Sequence, residues 1–425
     1  MGTTIDNRHS WLVFVAALAL VAMAVVLALA VMRPPPPLAA DAPASTFSAE
    51  RAFEHIERLA RVPRPVGSAA HDSVASYLLT AMEQLGLETE VQETTWVRSS
   101  GGRNVAVRVR NLLGRLPGSA GGDSLLLLAH YDSQPQTRGA GDDAAGVAVV
   151  LEAVRALSTG ARPRNEILVA ITDAEELGLF GAQALAAEHP WFERADLVLN
   201  VEARGNRGLA MMFETADGGL PWVRDLARLA PYPVADSLSY EVYQRMPNDT
   251  DFSMVREAGK EGLNFAFVDG HPAYHSALDT AQALELATVQ QLGANILSLV
   301  EHYAQQPIAA TGAREGVYFN LGSIRRLGGV CYLAGARSAG ALGDGRGHPP
   351  RRPLPPGASD AGPFWRRRGC LEHLPGVDPL HASRTARRSD RALELPGGGD
   401  ELASGRQQSS VHVAGSSSEH RHADG

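Results

Sequence analysis

Histidine and carboxylate side chains lie just beyond short apolar segments of this sequence, and each segment is typical of a buried strand. Residues 125–128 are four leucines, and His130 follows them closely. Glu175 and Glu176 stand in the same relation to the apolar residues 167–171. The residues placed at such strand ends or in the loops that follow them are His130, Asp132, Asp142, Glu175, Glu176, Glu202, His275 and Asp279.

These residue types together can bind metal ions. Neutral imidazole and carboxylate oxygen are zinc ligands, and the two cysteines, Cys331 and Cys370, lie far away in the sequence. Two metal ions need about three protein ligands each, and one carboxylate can serve both. Five ligands with one shared member meet that need, and a further carboxylate beside the metals can act as a general base.

Each pair alone has a simpler structural explanation. Asp142 and Asp143 before a helix are typical N-terminal caps. Glu175 and Glu176 can begin a solvated helix, and His275 by itself can be an ordinary structural histidine. The ordered set, with each member near a strand end, is what favours a metal site.

Strand and helix patterns alternate between residues 46 and 310. Ser48 is placed to cap a helix that runs toward Leu59, and residues 103–112 alternate as an edge strand does. Such alternation predicts an α/β fold around a largely parallel sheet, in which ligands bind at the carboxyl ends of strands. The predicted buried strands are residues 125–128, 167–171, 197–201 and 263–268, and the further helices are residues 71–85, 146–157 and 281–303.

The ordered motifs resemble those of the co-catalytic di-zinc aminopeptidases of the MH clan, typified by bacterial leucyl aminopeptidase and aminopeptidase Y. His-Tyr-Asp at residues 130–132 is followed by Gly-Ala-Gly-Asp-Asp-Ala-Ala-Gly at 139–146 and by Glu-Glu-Leu-Gly-Leu-Phe-Gly at 175–181. The resemblance covers about residues 46–310. It implies a three-layer α/β/α zinc-peptidase fold with a central mixed, mostly parallel sheet. Residues 200–203 and 248–252 are most similar to the membrane-anchored endoplasmic-reticulum metallopeptidases and vacuolar membrane proteases.

The resemblance also implies a role for each matched residue. Asp142 would bridge two zinc ions, and the Asp142–Asp143 peptide is expected to be cis. No oxyanion-side tyrosine is assigned, because neither Tyr240 nor Tyr243 aligns convincingly, and Arg204 could shape substrate preference. The implied metal ligands are His130, Asp142 and Glu202 at one zinc and Asp142, Glu176 and His275 at the other, with Glu175 as general base and with Asp132 and Asp279 orienting His130 and His275.

The N-terminal residues predict a membrane anchor. After a short segment at residues 1–10, residues 11–32 hold no charged side chain and are long enough, at about 1.5 Å per residue, to cross a bilayer. We expect an uncleaved transmembrane signal anchor followed by a Pro/Ala-rich linker at residues 33–45, with cleavage near residues 39–40 as the alternative. The catalytic domain would then be extracytoplasmic, either periplasmic or lumenal.

The C-terminal residues differ in composition from the rest. Residues 321–425 carry 15 Arg against 10 acidic residues, whereas the whole chain has a net charge of −8. We expect a low-complexity, disordered tail over residues 311–425, because this composition cannot bury enough apolar surface to fold. A frameshift near residue 320 would explain the abrupt change, and a genuine basic tail that contacts anionic lipid is the alternative.

The expected function is that of a membrane-anchored zinc exopeptidase that carries two zinc ions, takes a peptide substrate and acts as an aminopeptidase. The acidic charge argues against nucleic acid as a partner, and the oligomeric state is left open. A di-zinc carboxypeptidase or deacylase is one alternative, although the stretch between Glu202 and His275 is short for the lid domain that many of those enzymes insert. A single-zinc enzyme similar to glutaminyl cyclases and a non-catalytic ectodomain are the others.

Overall fold

The computed structural model describes residues 7–31, 33–100, 103–308, 316–320 and 330–334. All of them lie in the first of two units, Met1–Ala361. The strands are β1 (Glu88–Ser100), β2 (Arg103–Leu116), β3 (Ser124–His130), β4 (Glu166–Thr172), β5 (Leu197–Ala203), β6 (Arg207–Thr215), β7 (Gly262–Asp269), β8 (Gly316–Asn320) and β9 (Val330–Ala334). The α-helices are α1 (Asn7–Val31), α2 (Ala49–Leu59), α3 (Ala69–Gln84), α4 (Gly146–Ser158), α5 (Phe180–Glu188), α6 (Pro190–Arg194), α7 (Leu220–Leu229), α8 (Ser237–Tyr243), α9 (Phe252–Glu257) and α10 (Leu286–Gln305).

The central sheet is mixed, and its parallel part holds the candidate site. Seven strands pair in the order β1-β2-β4-β3-β5-β7-β6. The four in the middle, β4, β3, β5 and β7, are parallel, whereas β1, β2 and β6 join antiparallel. Every residue of β3 and β5 is buried, as expected for central strands covered on both faces. The carboxyl ends of these four strands therefore meet at one edge of the sheet.

Two apolar cores flank the sheet and make three layers. Leu125 and Leu127 pack with residues of α2, α3, α4, α7 and α10, whereas Leu126 and Leu128 pack with residues of α5, α6 and α9. Because successive side chains of a strand point to opposite faces, this split places helices on both sides of the sheet. The predicted α/β fold with a mixed central sheet is confirmed.

The edge-strand prediction for residues 103–112 agrees with the pairing of residues 103–111, which pair with β1 alone, but the strand as a whole is not the edge of the sheet. These residues belong to β2, which lies between β1 and β4, and β1 is the edge strand. β1 was not predicted because its sequence, beginning Glu-Thr-Glu-Val-Gln-Glu-Thr-Thr, is polar at most positions. Only residues 112–116 of β2 pair with β4, so the remainder of the β1–β2 hairpin lacks a second neighbour.

The helices begin close to the predicted positions. Ser48 caps α2 by accepting a hydrogen bond from the Arg51 backbone N–H at 3.2 Å.

The predicted anchor at residues 11–32 falls largely on α1. Among the residues described, no helix is long and apolar enough to cross a membrane. The membrane-spanning anchor therefore stays a prediction.

The segment predicted to be a linker packs on the domain. Gln290 of α10 accepts hydrogen bonds from the backbone N–H groups of Leu38 (2.9 Å) and Ala49 (3.0 Å), and its own amide donates to the Phe47 carbonyl at 3.0 Å. The Phe47 ring is 2% exposed and fills the space above Gly293 of α10. The chain that leads into α2 is thus held against α10.

Replacing Gly293 with alanine is expected to destabilise the fold. The new Cβ would lie 2.0–2.2 Å from three ring carbons of Phe47, so the ring must be displaced. Overpacking of this kind costs about 1–3 kcal/mol, which exceeds the gain of up to ~1 kcal/mol from the better helix propensity of alanine. The measurement is the midpoint of urea denaturation of the full chain, which should be lower for Gly293→Ala than for the wild type.

The matched control is the same Gly293→Ala substitution made in a protein that also carries Phe47→Ala. With the ring removed, Gly293→Ala should no longer destabilise the protein, because the two residues are in direct contact. A Gly293→Ala protein at least as stable as the wild type would contradict this packing.

Two described strands lie inside the predicted tail. β8 pairs antiparallel with β9, and the Tyr318 side chain of β8 is buried against the main core. The Tyr318 backbone N–H also donates to Ser237 Oγ at 3.0 Å. Ordered structure therefore continues beyond residue 311. The other residues of the predicted tail lie outside the described residues. The frameshift near residue 320 stays a prediction.

Candidate metal centre

His130 is the last residue of β3, and its ring reaches two carboxylates of other elements. Its Nε2 lies 3.1 Å from Asp142 Oδ1 and 3.7 Å from Glu202 Oε2. Glu202 is on β5, the parallel neighbour of β3, so the sheet brings these two residues together. All three side chains are buried, and they form a group that could hold a metal ion.

Asp142 lies in the loop between β3 and α4. Its peptide bond to Asp143 is cis, as the resemblance implied. The backbone N–H groups of Gly141 and Asp142 donate to the two oxygens of Asp279 at 2.7 and 3.2 Å. Asp143 accepts from the backbone N–H groups of His130 and Gly146 at 3.3 and 3.0 Å. These bonds hold the loop so that the Asp142 carboxylate faces the ends of the strands.

A second group shares Asp142 with the first. His275 Nε2 lies 3.2 Å from Asp142 Oδ2 and 2.9 Å from Glu176 Oε2. The ligand atoms of Asp142, Glu176 and His275 are mutually close enough to hold a second metal ion. Since the first group uses Oδ1 of Asp142 and the second uses Oδ2, one carboxylate faces both groups. The second group is less buried, and the His275 side chain is 33% exposed.

Glu175 lies beside the His130 group, in the turn after β4. Its Oε2 is 4.0 Å from His130 Nε2, and its side chain is 12% exposed. The backbone N–H groups of Glu175 and Glu176 donate to the two oxygens of Asp132 at 3.1 and 3.2 Å. Asp132 Oδ1 also lies 3.3 Å from His130 Nδ1. Asp132 therefore links the first histidine to the turn that presents both glutamates.

The outcome differs for the two carboxylates expected to orient histidines. Asp132 contacts the His130 ring as expected. Asp279 instead binds the backbone of the Asp142 loop, and no hydrogen bond or ion pair of the described residues joins it to His275. What stacks on the His275 ring is Tyr274, with 3.8 Å between ring centres.

The site concentrates negative charge in a small buried volume. Burial, together with repulsion from Glu202 and Asp251, raises the pKa of Glu175 well above its usual range despite the opposing effect of His130. Burial likewise raises the pKa of Glu202. For Asp142, burial acts in the same direction, but hydrogen bonds with His130 and His275 outweigh it and lower its pKa to about 2.

The residues fit divalent metal ions. The donor set is imidazole nitrogen and carboxylate oxygen, which suits zinc. Glu176 Oε1 is buried without a hydrogen-bond partner in the structure, so a ligand atom remains unsatisfied in this group. Crowded buried carboxylates repel one another, and a divalent cation between them would remove the cost.

Comparison with known proteins identifies the family. Residues 111–300 match Peptidase family M28. This part of the chain belongs to peptidase family M28. The family resemblance inferred from the motifs is thereby confirmed.

Two curated relatives and one solved structure resemble the M28 domain. A vacuolar membrane protease from Candida dubliniensis is 31% identical over 269 residues, covering 61% of this chain and 28% of that protein. Endoplasmic reticulum metallopeptidase 1 from Mus musculus is 29% identical over 287 residues, covering 63% of this chain and 32% of that protein. The chain thus spans less than a third of the length of these relatives. An aminopeptidase from Aneurinibacillus sp. strain AM-1 shares the fold with a TM-score of 0.52 at 14% identity, covering 64% of this chain and 97% of that chain.

Three residues around the M28 site were not predicted from the sequence. The Arg64 guanidinium is fully buried and donates to the carbonyls of Tyr131 (2.6 Å), Gly139 (2.9 Å) and Arg138. It thereby joins the beginning of the loop after β3 to the residues that directly precede Asp142 in the same loop. Nothing in the local sequence around Arg64 marks it, because its partners are all backbone atoms.

The other two are Gln134 and Asp251. Gln134 lies two residues after Asp132, and its Nε2 donates to Glu176 Oε2 at 2.9 Å. Asp251 is buried and accepts a hydrogen bond from Thr172 Oγ1. It belongs to residues 248–252, whose similarity to the membrane-anchored subgroup was the available signal.

Arg204 lies near the more open group. Its Nη1 donates to Asn248 Oδ1 at 2.7 Å, and its guanidinium carbon lies 5.3 Å from the centre of the Tyr274 ring, over the ring face. Because Tyr274 also stacks on His275, Arg204 is held close to the part of the site that faces solvent. Its role in substrate preference stays a prediction.

Proposed function

We propose that this chain is a zinc-dependent exopeptidase, and specifically an aminopeptidase, that holds two zinc ions. The observation that carries the proposal is the pair of ligand groups that share Asp142, with Glu175 beside the His130 group. The proposed ligands are His130, Asp142 and Glu202 for one ion and Asp142, Glu176 and His275 for the other. Membership of a peptidase family supports hydrolysis of a peptide bond as the reaction.

Zinc ions at these two positions would polarise the scissile carbonyl and lower the pKa of a nearby water molecule. Glu175 accepts the proton of the attacking water at its carboxylate and then delivers it to the leaving amine. Its carboxylate points at the His130 group, and the turn that carries it is fixed by Asp132.

The membrane and compartment assignments belong to the same proposal. The names of the two relatives place those proteins in the vacuolar membrane and the endoplasmic reticulum. We propose a single N-terminal anchor at residues 11–32, with the catalytic domain outside the cytoplasm and residues 46–310 as its extent. The contacts of Gln290 with the chain just before α2 would then hold the domain close to the anchor.

The proposed activity predicts a specific substrate pattern. The purified full chain should contain zinc and should hydrolyse aminoacyl anilides and peptides with a free N-terminus, but not the same peptides after N-acetylation. Removal of zinc with a chelator should abolish activity, and zinc should restore it. Hydrolysis of blocked peptides from the C-terminus would support the carboxypeptidase alternative instead. Cyclisation of N-terminal glutamine with one zinc per chain would support the cyclase-like alternative.

A further inference from the structure

A row of polar side chains crosses the sheet beside the candidate metal centre. Asn200 on β5 and Glu214 on β6 each pair with Asn264 on β7, the strand between them. All three side chains are 0% exposed. The neighbouring pairs of β5 and β7 are apolar: Leu199 pairs with Leu263 and Val201 with Phe265. Buried polar side chains are costly unless they are paired, so this row calls for a function beyond packing.

The row forms a continuous chain of hydrogen bonds that ends at the proposed ligand Glu202. Asn200 Nδ2 donates to Asn264 Oδ1 at 2.9 Å and lies 3.5 Å from Glu202 Oε1. Asn264 Nδ2 donates to Glu214 Oε2 at 3.0 Å and to Thr250 Oγ1 at 2.9 Å. At the far end, Arg256 Nη1 donates to Glu214 Oε1 at 2.8 Å.

The direction of these bonds is fixed by Glu214. A carboxylate paired with arginine only accepts hydrogen bonds, so Asn264 must turn its amino group toward Glu214. Its carbonyl oxygen then faces Asn200, so Asn200 must donate a hydrogen bond from its own amino group. The same amino group therefore faces Glu202 Oε1, and Glu202 Oε2 is left on the side of His130, 3.7 Å from Nε2. With either amide reversed, a carbonyl oxygen would face a carboxylate, which is repulsive.

We propose that Glu214 is a positioning residue for Glu202, acting through Asn264 and Asn200 to present one carboxylate oxygen of Glu202 to the metal ion held with His130 and Asp142. The inference rests on the proposed di-zinc function and extends it to a residue on β6, which is separated by β7 from the strand that carries Glu202. Partners of this kind that orient metal ligands typically change metal affinity by about 10–100-fold when they are removed.

The test is a zinc titration of the full chain against a chromophoric chelator, which yields a dissociation constant for each of the two proposed sites. Asn264→Leu breaks the chain of bonds and should weaken one of the two constants by about 10–100-fold while leaving the other within about 3-fold. Glu214→Gln keeps the shape but offers an amino group that lets both amides reverse, so it should weaken the same constant by about 10-fold.

Gln291→Leu is the matched control. Gln291 of α10 is also 0% exposed and also bonds to β6, through the Ala210 backbone N–H (3.1 Å) and carbonyl (3.2 Å), but it has no bond to the row. It should lose stability without any change in zinc affinity. If Asn264→Leu does not fold, Glu214→Gln decides the question alone.

Unchanged zinc affinity in the folded variants, or equal weakening in Gln291→Leu, would overturn the positioning role. A wild-type chain that binds no zinc would instead refute the proposed function itself. The two failures are thus distinguishable in one experiment.

Discussion

Glu175→Gln is expected to lower kcat by about 10²–10⁴-fold while the protein keeps its zinc. The amide has nearly the same shape as the carboxylate but cannot accept the proton of the attacking water. The Glu175 backbone N–H stays bound to Asp132 in the variant, so the turn and the neighbouring Glu176 should keep their positions. The measurement is kcat on an aminoacyl anilide, with zinc content determined on the same sample.

Glu176→Gln is the matched control, because it changes the adjacent residue in the same way. Glu176 Oε2 lies 2.9 Å from His275 Nε2 and belongs to a proposed ligand group. This variant should lose zinc from that group, whereas Glu175→Gln should not. Wild-type turnover in Glu175→Gln would disprove its role as general base, and loss of zinc would reassign it as a ligand.

Asp142→Asn is expected to weaken both zinc sites at once, and it should lower kcat/KM by at least about 10³-fold. Oδ1 of this carboxylate faces His130, and Oδ2 faces His275, so one substitution removes the charge that both groups share. Loss of metal catalysis removes several kcal/mol of transition-state stabilisation, and each 1.36 kcal/mol is tenfold in rate. Equilibrium dialysis followed by zinc analysis gives the number of bound ions.

His275→Ala provides the contrast for Asp142. It removes a ligand from only one group and should leave about one zinc ion per chain at a concentration that saturates the wild type. If Asp142→Asn retained one tightly bound zinc ion, Asp142 would belong to a single site, and the shared-carboxylate arrangement would be wrong.

Much of the site could be predicted because it depends on strand ends. The four-leucine run that ends near His130 and the apolar run before Glu175 are unambiguous buried strands, and parallel strands place their carboxyl ends at one edge. The side chains that follow such strands are therefore brought together by topology alone. The cis peptide at Asp142–Asp143 came from the family resemblance and not from the pattern.

The remainder depends on contacts that a pattern does not encode. β1 was missed because its exposed positions are polar, and its pairing with β2 is decided by the hairpin and not by burial. Arg64 acts on backbone carbonyls, which carry no sequence signal. The resemblance implied that Asp279 orients His275, yet the fold directs its carboxylate to the backbone of Gly141 and Asp142.

The polar row through Asn264 was missed for a related reason. Residues 263–268 read as an apolar strand with a single asparagine, and nothing in that segment reveals what lies opposite it. Only the register of β5, β7 and β6 places Asn200, Asn264 and Glu214 side by side. The register of neighbouring strands therefore determines which residues can orient a metal ligand. The positions of the proposed ligands themselves depend on where the strands end.

The most direct test of the central claim is a crystal structure of the wild-type chain with anomalous scattering data collected at the zinc edge. The account predicts two zinc peaks per chain, about 3.5–4 Å apart, with one oxygen of Asp142 directed at each. His130 and Glu202 should complete one site, and Glu176 and His275 the other. A single peak, or two peaks that do not share Asp142, would contradict it.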